Sequence, residues 1–169
     1  MQVRMLTPGD TEQFQSLRLR GLAECPTAFA SSYEEEAAES HEITSQRLNS
    51  SDEQAIFGAF VDGALVGVLG LQRERMRKLA HKASVWGMYV APEHREAGLG
   101  ELLVRQVLQH ARRLGVHQVN LGVNASNIAA LTLYTKLGFI TFGVERDFLL
   151  HDGEFYDEYL MVCVLPDAT

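Results

Sequence analysis

A short segment rich in small residues, placed directly before a helical pattern, is the first feature of this sequence that could do chemistry. It runs from Arg95 to Gly100 and carries a second glycine at position 98. Small residues let a backbone approach a ligand closely, and successive N–H groups entering a helix attract anions. A pyrophosphate would fit there, although two glycines can also form an ordinary strand-to-helix turn. The dinucleotide-binding glycine fingerprint is not met, because Leu103 stands where that fingerprint needs glycine or alanine.

Asn127 and Tyr134 form a second group of candidate residues. They lie seven positions apart in a helical pattern, and seven steps of roughly 100° fall about 20° short of two full turns. Both side chains can therefore face one cleft. Taken singly, Asn127 is more typical of a helix cap and Tyr134 of a half-buried core ring.

Hydrophobic periodicity and turn residues predict the elements that must position these residues. The strands are expected at 3–6, 54–61, 64–71, 83–90, 116–123, 139–144 and 156–165, and the helices after Asp10, at 102–114 and at 128–137. The polar segment 32–49 fits one helix or two, and Asp-Gly pairs at 62–63 and 152–153 predict tight hairpins. The fold class is therefore α/β (α+β): one domain over residues 1–169, with helices on both faces of a mixed sheet.

With these residues in place, the chain resembles the GNAT superfamily of N-acetyltransferases. The motif of that superfamily is Arg or Gln, two residues, Gly, one residue, then Gly or Ala, and it is met by Arg95, Gly98 and Gly100. The resemblance covers roughly residues 54–162 and continues in order through Asn127, Tyr134 and the pair Gly138-Phe139. The combination is far more specific than the short glycine motif alone.

The resemblance implies a sheet whose central strand pair splays apart around acetyl-CoA, the co-substrate. The backbone of Met88, Tyr89 and Val90 would pair with the pantetheine amides. The pyrophosphate would bind the turn made by Arg95, Glu96, Ala97, Gly98, Leu99 and Gly100. Asn127 would contact the pantetheine arm or the substrate side of it, and Tyr134 would protonate the departing thiolate. The implied reaction is direct transfer of acetyl to a primary amine, since a phenol can assist thiolate departure without a covalent enzyme intermediate.

The acceptor side of the site is less defined in the sequence. The resemblance makes Phe29, Ser32, Trp86 and Tyr156 candidates for the acceptor pocket, with Ser31 and Tyr33 beside them. Several family members carry a glutamate base in the strand before the glycine motif, but residues 83–87 contain no acid. The candidate bases that act through water are Glu145, Asp157 and the run Glu34 to Glu36, whereas His81, His94 and His151 are more typical of surface histidines.

Composition bounds the remaining function classes. The net charge is -7 with 22% charged residues, so an extended nucleic-acid surface is not expected, and the acidic balance favours a cationic small acceptor. The two cysteines have no paired spacing, which predicts neither a disulfide framework nor a metal site and suits a reducing compartment. No apolar run suggests a membrane span, so we expect a cytoplasmic protein. The sequence does not give the oligomeric state, although a homodimer is the commonest symmetric assembly.

Three alternatives stay open or are disfavoured at this point. A non-catalytic module that binds acyl-CoA for regulation would also keep the cleft, and the missing strand glutamate fits it, whereas Tyr134 argues for turnover. A protein N-terminal acetyltransferase would share every cofactor residue. A nicotinamide-dependent oxidoreductase is disfavoured because its glycine fingerprint fails.

Overall fold

Seven strands form one mixed sheet in the computed structural model, which describes residues 1–166. The strands are β1 Gln2–Met5, β2 Gln54–Val61, β3 Ala64–Arg73, β4 Lys82–Val90, β5 Gln118–Asn124, β6 Ile140–His151 and β7 Glu154–Val164. The helices are α1 Thr11–Glu24, α2 Tyr33–Ala37, α3 His41–Arg47, α4 Leu99–Arg113 and α5 Ile128–Lys136, with short 3-10 turns between several elements. The strand order is β1-β2-β3-β4-β5-β7-β6. β4 and β5 pair in parallel and the other neighbours pair antiparallel.

Both predicted Asp-Gly hairpins are confirmed. Asp62 and Gly63 have φ of 49° and 83°, and Asp152 and Gly153 have φ of 50° and 79°. Two successive residues with positive φ give the turn whose twist matches that of the flanking strands. The hairpins join β2 to β3 and β6 to β7, and they fix the register of both pairs.

The core lies on both faces of the sheet, as the predicted helices on both faces require. Leu103 and Val107 of α4 are fully buried on one face, in a cluster that also contains Tyr134 of α5. Phe14 and Leu22 of α1 are buried on the other face in a separate cluster. The site described below lies where the sheet between these two layers opens.

The polar segment that left one helix or two open forms two short helices, α2 and α3. Ser32 caps α2 by accepting from the Glu35 N–H, and Ser40 caps α3 by accepting from the Ile43 N–H. A second N-cap within the segment explains the break, because a capping serine takes up donors that otherwise have no partner at a helix start.

The splay of the central strands is the feature that positions the site. β4 and β5 pair only from Lys82 to Ser84 with Gln118 to Asn120, and the rest of each strand runs on without this partner. On its other side β4 keeps pairing with β3, with a bulge where Gly87 and Met88 oppose a single residue. Gly87 has φ of 68° there, a value that side chains disfavour and glycine allows. The predicted fold class, including the splayed pair, is confirmed.

Two boundaries differ from the predictions by three residues or more, and the others by at most two. α4 begins at Leu99 and not at residue 102, because Gly98 adopts φ of 76° and ends the turn at that point. β6 extends to His151, well beyond the predicted end at residue 144, and its side chains are mostly exposed. An edge strand of this kind buries few side chains, so hydrophobic periodicity does not report its length. Within residues 1–166, no helix has the length and apolar character needed to cross a membrane.

Candidate active site

The splay opens into a cavity of about 610 Å³ between β4, β5 and the starts of α4 and α5. The predicted cofactor residues that line it are Met88, Tyr89, Val90, Arg95, Glu96, Gly98, Leu99, Gly100 and Asn127. Ala97 is the one member of the predicted set that does not line it, and Tyr134, the predicted proton donor, does. Elements far apart in the sequence thus bring the two candidate groups together around one space.

The glycine turn has the geometry of an anion site. Glu96 and Gly98 have φ of 63° and 76°, so the chain turns sharply before entering α4. A Cβ on Gly100 would come within 3.0 Å of the Met88 Cε and 3.3 Å of the Leu133 Cδ2, so a side chain there would fit only if these two side chains shifted. The first hydrogen bond into the helix is donated by Leu102 N–H to the Gly98 carbonyl at 3.0 Å. The three N–H groups between these residues have no acceptor within the helix, and they are free to donate to a ligand.

Arg95 braces this turn against β4. Its Nε donates to the Val90 carbonyl at 2.9 Å, and its guanidinium carbon lies 5.7 Å from the centroid of the Tyr89 ring. The side chain is exposed at the rim of the cavity. It therefore adds a positive charge beside the amides of the turn.

Asn127 both caps α5 and lines the large cavity. Its Oδ1 accepts a hydrogen bond from the Ala130 N–H at 3.1 Å, which is the bond expected of a helix cap. The amide nitrogen of the same side chain remains available as a donor to a ligand. The two interpretations of Asn127 are compatible.

Tyr134 is buried with 5% of its surface exposed and meets Phe139 edge to face, with ring centroids 5.6 Å apart. Burial raises the pKa of its phenol well above the ordinary value. Within the described chain its hydroxyl has no hydrogen-bond partner, and it adjoins the large cavity. A phenol in this environment stays protonated at neutral pH, so it is able to donate a hydrogen bond and then its proton to a thiolate that forms beside it.

A second, smaller cavity of about 270 Å³ lies on the other side of the splay. It is enclosed by the loop that follows α1, by β4 and β5, and by the β6–β7 hairpin. The residues that line both cavities are Ala28, Phe29, Val85, Trp86, Gly87, Gly122 and Asn124. The two spaces therefore meet in the opening between β4 and β5.

The structure places three of the four predicted acceptor residues at the small cavity. Phe29 and Trp86 line both cavities and Tyr156 lines the small one. Ser32 lines neither, because its side chain is committed to capping α2 through Glu35. Its neighbour Ser31 lines the small cavity instead.

The candidate bases named from the sequence are poorly placed for proton transfer. The run Glu34 to Glu36 lines neither of these two cavities, and neither does Glu145. Asp157 lines the small cavity, but the Asp147 N–H and Arg146 lower the pKa of its carboxyl and so weaken it as a base. Of the three histidines, His94 alone borders a cavity, at the rim of the large one.

Sequence reasoning missed Glu158, an acid on β7 that lines the small cavity. A Cβ on Gly122 of the neighbouring strand would overlap with the Glu158 carboxylate, so the carboxylate reaches the splay only because position 122 is glycine. Burial, and then the charge of Glu145, raise the pKa of the Glu158 carboxyl. The one signal in the sequence is the adjacent acid pair Asp157-Glu158 in the otherwise aromatic and aliphatic segment 156–165, of which only Asp157 was named from the sequence.

Comparison with known proteins places this chain and its fold in one class, the acetyltransferases. The model of the Acetyltransferase (GNAT) family matches residues 21–139. The chain is 29% identical over 107 residues to the L-amino acid N-acetyltransferase AaaT of Escherichia coli, covering 63% of this chain and 65% of that protein. It therefore spans just under two thirds of that relative. It is 33% identical over 121 residues to an N-alpha-acetyltransferase of Sulfurisphaera tokodaii, covering 67% and 71%.

Solved structures agree with the fold. A GNAT-family acetyltransferase from Streptococcus pneumoniae superposes with a TM-score of 0.86 at 25% identity, covering 97% of this chain and 99% of that one. A Salmonella typhimurium protein described as a putative acetyltransferase with its cofactor acetyl-CoA has a TM-score of 0.86 at 17% identity, covering 100% and 96%. The chain belongs to the GNAT family of acetyltransferases, and the predicted resemblance to that family is confirmed.

Proposed function

We propose that this protein is an acetyl-CoA-dependent N-acetyltransferase that moves the acetyl group directly to the primary amine of a small molecule. The observation that carries the proposal is the meeting of two cavities in the splay, with Tyr134 at the large one and Glu158 at the small one. The large cavity with its glycine turn is the place for acetyl-CoA, and the small cavity is the place for the acceptor. We treat residues 1–169 as one catalytic domain.

The two ionisable groups divide the proton transfers between them. An amine with a pKa near 10.4 is mostly protonated at neutral pH and must lose a proton before attack. The Glu158 carboxylate accepts that proton and passes it to solvent, and it accepts the second proton that the nitrogen loses as the N–C bond forms. The tetrahedral intermediate then collapses, the C–S bond breaks, and the thiolate takes the proton of Tyr134, which solvent replaces. One proton is released per transfer, and no acetyl-enzyme forms.

Charge and size support a small cationic acceptor. Within residues 1–166, Glu158 has no basic side chain at ion-pair distance, and its cross-strand neighbour Glu145 is another acid. A positively charged acceptor would therefore be attracted to the Glu158 carboxylate and to the neighbouring Glu145. A volume of about 270 Å³ is below the usual range of ligand sites, which suits a compact amine. The N-alpha-acetyltransferase relative keeps a protein N-terminus as the second candidate acceptor.

Acetyl-CoA is expected to raise the melting temperature. At about 100 times its Kd it would add about 2.7 kcal/mol, which corresponds to a rise of roughly 5–10 °C for a chain of this size. Acetyl-pantetheine, which lacks the pyrophosphate, should give a clearly smaller rise because it cannot use the amides of the glycine turn. Differential scanning fluorimetry with both compounds measures the difference.

Thiol release then decides between the enzyme and the module. Release of CoA with at least one amine in a broad panel is expected. Stabilisation by acetyl-CoA without release across the panel would favour the non-catalytic module, and equal effects of the two thioesters would remove the glycine turn from the site.

The homodimer and the cytoplasmic location stay predictions. On the edge strand β6, Ile140 is 65% exposed and Phe142 is 58% exposed. We expect a second copy of the chain to pair with this strand, because two identical edge strands can pair across a two-fold axis. Sedimentation equilibrium should show a dimer for the natural chain and a monomer after Phe142→Lys. A natural chain that stays monomeric at high concentration would contradict the dimer.

A further inference from the structure

The guanidinium of Arg18 has a donor that the protein leaves without an acceptor. Arg18 lies on α1, and its side chain is 7% exposed. Its Nε and Nη2 donate to the Glu36 carboxylate at 2.9 Å and 2.7 Å. Its Nη1 is buried and has no hydrogen-bond partner among residues 1–166. A buried charged donor without an acceptor opposes folding, so its presence calls for a physical reason.

The same guanidinium borders the acceptor cavity. Arg18 lines that cavity, and its Cζ lies 4.6 Å from the centroid of the Phe29 ring and 5.9 Å from that of Trp86. Both rings line the two cavities. Nη1 lies 3.1 Å from the position that a Cβ on Gly87 would occupy. The missing side chain at position 87 thus leaves space beside the unpaired donor, at the junction of the cavities.

Nη1 and the Glu158 carboxylate each lie beside a glycine in the part of β4 and β5 that is splayed, and both residues line the acceptor cavity. The last paired residues of β4 and β5 are Ser84 and Asn120. Gly87, beside Nη1, lies just beyond that pair on β4, and Gly122, beneath the Glu158 carboxylate, lies just beyond it on β5. The acceptor cavity therefore offers a cationic donor on the β4 side and an anion on the β5 side.

Building on the proposed function, we infer that the acceptor is an α-amino acid whose carboxylate binds Arg18 and whose amine faces Glu158. Arginine binds carboxylates through charge-assisted hydrogen bonds, and Nη1 has two N–H groups to offer. An α-amino acid carries its carboxylate and its ammonium group on one carbon, so its two charges match the two sides of the cavity. The amine loses its protons to Glu158 and gains the acetyl group, while the carboxylate takes no part in bond making and fixes the orientation of the amine.

The test with the natural protein compares matched acceptors. The standard L-amino acids, their primary amides and their decarboxylated amines are assayed for kcat/KM by thiol release from acetyl-CoA. The best amino acid is expected to exceed its own amide and its own decarboxylated amine by about tenfold or more, which equals about 1.4 kcal/mol. An amide that performs as well as or better than the acid would overturn the inference and favour peptide N-termini, because an N-terminal residue presents an amide carbonyl. A decarboxylated amine that performs as well would overturn it in favour of simple amines.

A paired substitution tests Arg18 itself. Arg18→Gln together with Glu36→Gln removes both charges of the buried ion pair and leaves neither unpaired. This variant should keep the stabilisation by acetyl-CoA and should lose the preference for the acid, so that the acid-to-amide ratio falls to about one. Arg47→Gln is the matched control, because Arg47 also contacts Glu36 but lines neither of the two cavities, and its ratio should stay that of the natural protein.

The possible outcomes distinguish a failure of this inference from a failure of the proposed N-acetyltransferase function. A preference for the acid that survives in the paired variant would remove Arg18 from acceptor binding. Should the paired variant fail to fold, the acceptor series with the natural protein still decides. If the protein acetylates amines but does not prefer those with a carboxylate, the inference alone is wrong. If it acetylates none of the amines, both the proposed function and the inference are wrong.

Discussion

Replacing Tyr134 with phenylalanine is expected to lower kcat about 100-fold while the affinity for acetyl-CoA stays nearly unchanged. The magnitude is the lower end of what a positioned general acid contributes. The substitution removes one hydroxyl that has no hydrogen-bond partner among residues 1–166, and it keeps the ring that packs against Phe139. Because burial raises the pKa of the phenol, the natural enzyme should keep its proton donor throughout the neutral and mildly alkaline range.

Steady-state kinetics and calorimetry of acetyl-CoA binding measure the two effects separately. A fall in kcat with an unchanged Kd is the signature of an interaction made only in the transition state. Tyr159→Phe serves as the matched control, since Tyr159 lies on β7 and lines neither cavity. Unchanged turnover in the Tyr134 variant would assign the protonation of the thiolate to another group or to solvent.

Glu158→Gln is expected to lower kcat/KM about 100-fold at neutral pH and to remove the acid limb of the pH profile. A general base acts in its ionised form, so activity rises with pH through its pKa and then levels off. Burial and the charge of Glu145 raise that pKa, which places the limb of the natural enzyme above the ordinary range of a glutamate. The profile of kcat/KM against pH for both proteins measures the limb directly.

Two further variants separate catalysis from structure. Gly122→Ala should also lose activity although Glu158 is intact, because the new Cβ would occupy the space of its carboxylate. Glu145→Gln removes the neighbouring negative charge and should move the acid limb to lower pH. An acid limb that stays in place in the Glu145 variant, or that persists in the Glu158 variant, would show that another group accepts the proton.

Loss of fold would not explain the effect of Glu158→Gln. A carboxyl whose pKa is raised in the folded state binds its proton more tightly there than in the unfolded chain. At neutral pH the ionised carboxylate therefore opposes folding, and this cost decreases as the pH falls through the raised pKa. An uncharged glutamine should keep or increase the free energy of unfolding at neutral pH, and chemical denaturation tests this.

Much of the fold could be predicted because it is encoded locally. Asp62-Gly63 supplies two adjacent positive φ angles, and that requirement is readable without any knowledge of the partner strands. The helix that carries Leu103 and Val107 shows its buried face through spacing alone. The predicted strand β6 is too short, because the side chains of this edge strand are mostly exposed and show no alternation of hydrophobic and polar residues that marks its length.

Most of the lining of the large cavity could be predicted for the same reason. The turn that ends at Gly100 and the spacing from Asn127 to Tyr134 are contiguous patterns, and the structure brings both to one cavity. The lining of the small cavity depends on neighbours that are distant in the sequence. Ser32 was predicted at the pocket, yet its hydroxyl is taken by the cap of α2, a choice between two local roles that its residue type does not settle.

The amino-acid sequence by itself determined the order of strands and helices, the family, and most of the residues that line the large cavity, because each of these follows from spacings along a short stretch of chain. Only the tertiary structure decided which carboxylate and which guanidinium line the small cavity. Glu158 reaches the splay because β7 lies beside β5 at a glycine, and Arg18 borders it because α1 packs on the face where β4 bulges. Strand order and the packing of helices on a sheet set these distances, and neither is carried by any single segment.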